Sequence, residues 1–320
     1  MKVIYFAKEE WEKEYVKQRL PGVEFVQDGD ADAEVLSVFV NHPVDAAQMD
    51  KYPKLKLIAT RSTGVDHIDV QEAKKRNISV ASVPGYGAPT VAEFAFTLIL
   101  ALSRKVCDAH KQVTETGSFS QKGLTGFDLA GKTIGVVGCG KIGQHTARIA
   151  KGFGMLVLVS DAFKNDALAK EIGFTYAELP ELLGKSDVIS LHVPYMKETH
   201  HLINSRNVGQ IKKGAYLINT ARGAVVETAA IVKALEDGIL AGAGLDVLEE
   251  EGDMQDEMHL LSGPHPKEEE LKIVLENHYL IDHPRVIITP HIAFDTREAI
   301  ERILDTTVEN IKSFTNAQAR

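Results

Sequence analysis

The sequence predicts an α/β protein made of two doubly wound parallel-sheet domains, one inserted into the other. Short apolar strands alternate with helical segments along nearly the whole chain, the pattern of parallel sheets covered by helices. A glycine-rich strand-to-helix turn begins only at Gly138, so a separate unit must precede it. Near the C-terminus, Ile300, Ile303, Leu304, Val308 and Ile311 fall at helical spacing, which predicts a helix over 296–314 that returns to the first unit.

The first unit opens with a strand, Val3–Ala7, followed at once by charged residues, which reads as a strand and not a signal peptide. A helix over Glu9–Arg19 follows, then strands Val35–Val40, Leu55–Thr60 and Ser79–Val83. The third ends in the loop from Arg61 to Asp66 and the last is closed by Pro84-Gly85. A helix then runs from Thr90 to about Val113, with Thr90 and Glu93 as a capping box. It is apolar nearly all round from Val91 to Leu102, so it connects domains and packs against a second subunit. Gly117 to Gly131 is a polar link. Strands Thr133–Gly138, Leu156–Asp161, Val188–His192, Ala215–Asn219, Gly242–Val247 and Val286–Thr289 build the second sheet. The expected domains are 1–100 with 296–320, and 101–295.

A length of 320 residues suits two cores. Apolar content of 44% and charged content of 25% are ordinary for a soluble globular protein. The net charge of −9, without a basic run, argues against nucleic acid as a partner. The longest apolar stretch, Phe94 to Leu102, is too short to span a bilayer. Cys107 and Cys139 do not suggest a disulfide, which points to a reducing cytoplasm. His200, His201 and the histidines from His259 to His283 lack metal-ligand spacing and read as solvated or capping residues.

The second sheet carries the chemistry. Gly138 permits a tight turn, Gly140 lets a pyrophosphate approach, and Gly143 lets the helix pack on the strand. Phosphates then sit at the N-terminus of the helix that begins with Lys141 and Ile142. The next strand ends in Asp161, at the spacing of a ribose-binding acid, which favours NAD over NADP, with Lys164 nearby to soften that preference. Arg222 follows one strand, Asp246 and the run Glu249-Glu250-Glu251 another, and His291 the last. In open α/β sheets this carboxyl edge faces the ligand crevice. A carboxylate can orient an imidazole for proton transfer, and an arginine offers paired donors to an anionic substrate. The acidic run reads equally well as a solvated face, and Arg222 or His291 could be a salt-bridge or packing residue.

These motifs, with Ser190 to Pro194 and Thr289 to Ala293, make the chain similar to the D-2-hydroxyacid dehydrogenases over nearly its whole length, and within them to the D-lactate dehydrogenase branch. The resemblance implies a Rossmann NAD-binding domain inserted into a flavodoxin-like substrate domain. It implies that Arg222 binds the substrate carboxylate and carbonyl, that His291 is the acid/base, and that Glu251 orients it. It also implies that Val193, Pro194 and Thr199 line the adenosine side, while Thr220, Ala221 and Asp246 stand at the nicotinamide end. Ser62, Thr63 and Gly64 would cradle the substrate carboxylate through backbone N–H groups, and Tyr86 and Phe294 would keep the pocket small. The length between Glu251 and His291, with a helical segment over Glu268–Tyr279, favours the lactate branch; Asp295 departs from its usual tyrosine. The implied activity is NAD-dependent, reversible reduction of a small 2-oxoacid, pyruvate first, to D-lactate by a homodimer. A bulkier 2-oxoacid or hydroxypyruvate is the alternative substrate, and an NAD(H)-sensing, corepressor-like binding protein the alternative class.

Overall fold

The computed structural model describes residues 1–7, 9–251 and 268–318. The chain forms two compact units, Met1–Tyr86 with Asp295–Arg320, and Gly87–Phe294.

In the first unit β1 (Lys2–Tyr5), α1 (Glu10–Arg19), β2 (Glu24–Val26), β3 (Val35–Val38), α2 (Ala46–Asp50), β4 (Leu57–Thr60), α3 (Val70–Lys75) and β5 (Ser79–Ala81) succeed one another. The strands pair in parallel in the order β2-β1-β3-β4-β5, the flavodoxin-like order. One register row runs Val26, Ile4, Leu36, Ile58, Val80 across the sheet. That row packs with Val44, Met49 and Ile68 on one face. The rows on either side of it, one with Tyr5 and Ala59 and one with Val3, Val35 and Leu57, meet Leu304, Val308 and Ile311 of the C-terminal helix Arg297–Gln318 on the other. Fully burying each such aliphatic side chain is worth about 1.5–3 kcal/mol, which is why a helix so distant in sequence belongs to this unit. Thr296 starts that helix, its Oγ1 accepting from the Ala299 N–H at 3.2 Å.

The second unit contains α4 (Ala88–Arg104), α5 (Val106–Thr116), β6 (Thr133–Val137), α6 (Lys141–Gly152), β7 (Leu156–Ser160), α7 (Asp166–Ile172), β8 (Thr175–Tyr176), α8 (Leu179–Lys185), β9 (Val188–Leu191), β10 (Ala215–Asn219), α9 (Thr228–Glu236), β11 (Leu240–Leu245), α10 (Glu268–Asp282) and β12 (Val286–Ile288). Its parallel sheet has the order β12-β11-β10-β9-β6-β7-β8. Counted within the unit this is the Rossmann order with a seventh strand at one edge. The strand order reverses between β6 and β9, so the loops after these two strands flank a ligand crevice.

Three expectations change. The single helix from Thr90 to Val113 is two helices, because Lys105 adopts a left-handed conformation (φ 51°) that ends α4 and starts α5. Thr90 is not its cap: α4 begins earlier, at Ala88-Pro89, and Thr90 is buried inside it. Proline at a helix start suits that position, where its missing N–H has no helical acceptor to serve. Only α4 is buried; α5 has no buried residue. The chain divides at Tyr86/Gly87, and Phe96, Leu98 and Ile99 of α4 join Ile134, Val136 and Ile218 of the second unit's core. The edge strands β2 and β8 are additions, too short for an alternating pattern to register. Of the histidines noted above, His259 and His265 lie outside the described residues.

Candidate active site

Adjacent strands β10, β11 and β12 each end in a loop that presents one of the three candidate catalytic residues, Arg222, Glu251 and His291. After β10, Asn219 staples the turn: its Oδ1 accepts from the Ala221 N–H (3.0 Å) and its Nδ2 donates to the Arg222 carbonyl (2.9 Å). Arg222 leaves this staple with extended backbone. After β11, Asp246 is 1% exposed and clamps the next loop. Its Oδ1 accepts from Thr289 Oγ1 (2.6 Å) and the Ile292 N–H (3.0 Å), and its Oδ2 from the Ala293 N–H (2.8 Å). Burial raises the Asp246 pKa above the usual carboxylate value, and these donors pull it part of the way back. The clamp holds His291 in a left-handed conformation, φ 53°, which is costly for a side-chain-bearing residue and marks an over-determined site.

His291 Nδ1 lies 2.7 Å from Glu251 Oε1. An ionised carboxylate only accepts, so Nδ1 carries the hydrogen and Nε2 is the nitrogen left to exchange a proton. The acidic run is not one solvated face, because Glu249 is buried. His201 is not a solvated histidine either; its Nε2 lies 2.5 Å from Glu249 Oε1. The pairing of Glu249 with His201 was not visible in the sequence, where three consecutive glutamates look alike.

Gly223 packs the arginine loop onto the glutamate loop. A Cβ there would lie 2.0 Å from the Leu248 carbonyl carbon and oxygen and 2.2 Å from the Glu249 nitrogen. Gly223→Ala is therefore expected to destabilise the fold by about 2 kcal/mol or more, since backbone and not a flexible side chain must give way. A thermal melt checks it, and an unchanged midpoint would contradict the close approach.

The nucleotide motif fits NAD. Gly138 has φ 91°, and a Cβ there would stand 2.8 Å from the His192 carbonyl group; one on Gly143 would stand 2.0 Å from the Gly138 oxygen. A Cβ on Gly140 would meet nothing within 4 Å, which leaves that side open to a pyrophosphate. Gly140 caps α6 without a side-chain bond, so the first N–H groups from Lys141 and Ile142 onward lack a cap. Asp161 accepts from the Cys139 N–H (2.5 Å) at one oxygen and the Phe163 N–H (2.7 Å) at the other, keeping lone pairs for ribose hydroxyls. Lys164 is paired with Glu178 at 2.8 Å. Thr220 Oγ1 is buried without a hydrogen-bond partner, an orphan that a bound nicotinamide end could satisfy; Ala221 adjoins it in the Asn219 turn. Of the residues expected on the adenosine side, Val193 packs beside the core, and Thr199 Oγ1 donates to the Pro194 carbonyl at 2.6 Å. Burial pushes His192, next to Val193, down to about 3, so that ring is neutral.

In the first unit, Ser62 Oγ donates to the Gly64 carbonyl (2.6 Å) and Thr63 Oγ1 to the Val83 carbonyl (2.9 Å), which shapes the loop of the expected carboxylate cradle. The loop is anchored by Arg61, absent from the sequence-based candidates. Its Nη1 donates to Glu12 Oε2 (2.8 Å) and Tyr5 Oη (3.2 Å), and its Nη2 to the Phe6 carbonyl. Burial pushes the Tyr5 phenol up to about 12. The Tyr86 carbonyl accepts from Arg302 Nε at 2.7 Å. Phe294 belongs to the second unit, where its Cβ would stand 3.9 Å from a Cβ on Gly87.

The family model described as D-isomer specific 2-hydroxyacid dehydrogenase, NAD binding domain, matches residues 96–293. The chain belongs to the D-2-hydroxyacid dehydrogenase family. This dehydrogenase is 37% identical to a glyoxylate reductase of Korarchaeum cryptofilum over 97% of its own chain and 87% of that one. It is 41% identical to the glyoxylate reductase of Thermofilum pendens over 88% of its chain and 78% of that relative. Among solved structures it resembles D-lactate dehydrogenase from Aquifex aeolicus, complexed with NAD and lactic acid. There the identity is 37%, the TM-score 0.87 and the coverage 99% and 96% of the two chains. The dehydrogenase's cofactor is NAD, and its second unit contains the family's NAD-binding domain.

Proposed function

We propose that this dehydrogenase reversibly reduces a small 2-oxoacid, pyruvate first, to the D-2-hydroxyacid. The observation that carries this reading is the 2.7 Å contact between His291 Nδ1 and Glu251 Oε1 at the sheet's carboxyl edge. Bound NADH supplies the hydride to the carbonyl carbon. Arg222 pairs with the substrate carboxylate and polarises the carbonyl oxygen. His291, protonated, gives its Nε2 proton to that oxygen as negative charge develops on it. Glu251 holds the ring and offsets its charge. Phe294, which follows His291 on the same loop, bounds the apolar end of the substrate.

Reduction of pyruvate should yield D-lactate alone, read by chiral chromatography of the product; L-lactate would count against the reading. The relatives named glyoxylate reductase favour a second substrate, the two-carbon acid glyoxylate. Asp161, as the ribose-binding acid, would repel a 2′-phosphate, and Lys164, close to it in sequence, is paired with Glu178. Asp161→Ala is expected to raise kcat/KM with NADPH relative to NADH by about tenfold, a change of about 1.4 kcal/mol in selectivity. An unchanged ratio would mean another group sets the preference. Exposed Val106 and Val113 on α5 support a homodimer, and the free thiols Cys107 and Cys139 suit a reducing cytoplasm.

A further inference from the structure

A second carboxylate–histidine pair lies beside the catalytic one and has no part in the reaction as derived. Glu249 is 6% exposed, and its carboxylate takes three donors. Oε1 accepts from His201 Nε2 at 2.5 Å; Oε2 accepts from Thr228 Oγ1 at 2.8 Å and the Thr228 N–H at 3.2 Å. Its backbone is held separately, the carbonyl accepting from Asn277 Nδ2 of α10 at 2.8 Å. A buried carboxylate with charge-assisted bonds to three donors is a rigid anchor.

The partners of this anchor decide what it does. His201 belongs to the segment after β9, and its N–H donates to the Ala224 carbonyl at 2.9 Å, two residues past Arg222. Thr228 opens α9, the helix that follows the Arg222 loop. Gly223 abuts the backbone of Leu248 and Glu249. Glu249 thus ties the stretch that carries Arg222 to the stretch that carries Glu251. From Glu249 the chain turns through Glu250, left-handed at φ 52°, directly into Glu251. Released from its donors, that turn has no side-chain bond from Glu249 to fix it.

We propose that Glu249 is a positioning residue, which through His201 and Thr228 fixes the direction from which Glu251 meets His291. This rests on the assignment of Glu251 and His291 given above. A purely structural role would lower the amount of folded protein without depending on Glu251, and a double-mutant cycle separates the two.

The full-length protein is assayed with NADH and pyruvate or glyoxylate as Glu249→Gln, Glu251→Gln and the double variant. Glu249→Gln alone is expected to lower kcat about tenfold, and less than about twofold when added to Glu251→Gln, because groups acting through one another are non-additive. NADH affinity, read by nicotinamide fluorescence, should stay unchanged. The same loss in both backgrounds, or no loss in the native one, would overturn the proposal. If Glu251→Gln alone leaves kcat unchanged, the assignment of Glu251 fails and the proposal with it. Should Glu249→Gln not fold, His201→Gln keeps a donor for Glu249. It is then expected to recover most of the rate that His201→Ala loses; equal losses would again overturn the proposal.

Discussion

His291→Ala is expected to lower kcat for 2-oxoacid reduction by about 10³-fold, within the range that positioned proton transfer supplies. The ring is held by a carboxylate at Nδ1 and set on a backbone clamped by Asp246. NADH affinity should change little, because His291 lies on the loop after β12 and the glycine turn follows β6. Stopped-flow fluorescence for binding and steady-state absorbance for turnover separate the two quantities. Reduction needs His291 charged and oxidation needs it neutral. The native enzyme should therefore lose reduction rate as pH rises and oxidation rate as pH falls. Identical pH profiles for the two directions would remove His291 from the acid/base role.

The second large effect concerns stability. Glu12 and Arg61 form an ion pair 2.8 Å apart with both side chains 4% exposed. Removing one partner leaves the other charge buried, which costs about 3–5 kcal/mol. Glu12→Ala should accordingly lower the thermal midpoint by about 10 °C, taking a few degrees for each kcal/mol in a chain of this size. Arg61 adjoins Ser62, Thr63 and Gly64, so the same substitution should also loosen the loop they form. Replacing both, as Glu12→Leu with Arg61→Met, should destabilise less than Glu12→Ala alone, since no isolated charge is left behind. A double variant worse than the single one would show that the bonds from Arg61 to Tyr5 and Phe6, and not the ion pair, hold this corner.

The alternation of strands, both sheet types and the returning C-terminal helix were legible, because buried parallel strands are nearly continuous apolar runs and leave a strong local signal. Arg222, His291 and the run Glu249-Glu250-Glu251 were legible as candidates because each follows a strand end, where chain order assigns them to one sheet edge, and the family resemblance singled out Glu251. What stayed hidden depended on contacts distant in sequence. Glu12 sits in a helix crowded with charges, and nothing local distinguishes it from Glu10 or Glu14, which are exposed. Glu249 differs from its neighbours only through His201 and Thr228, both on other loops. The break at Lys105 escaped notice because lysine is an ordinary helix residue and its left-handed backbone has no sequence signature.

The central claim is that the His291–Glu251 pair serves reduction of a small 2-oxoacid. It is tested most directly by following NADH absorbance with the purified protein and a panel of pyruvate, glyoxylate, hydroxypyruvate and branched 2-oxoacids. Turnover on pyruvate or glyoxylate that exceeds the bulkier acids, and that vanishes in His291→Ala, is the predicted result. Tight NADH binding without turnover on any member of the panel would contradict it and favour a nucleotide-sensing protein.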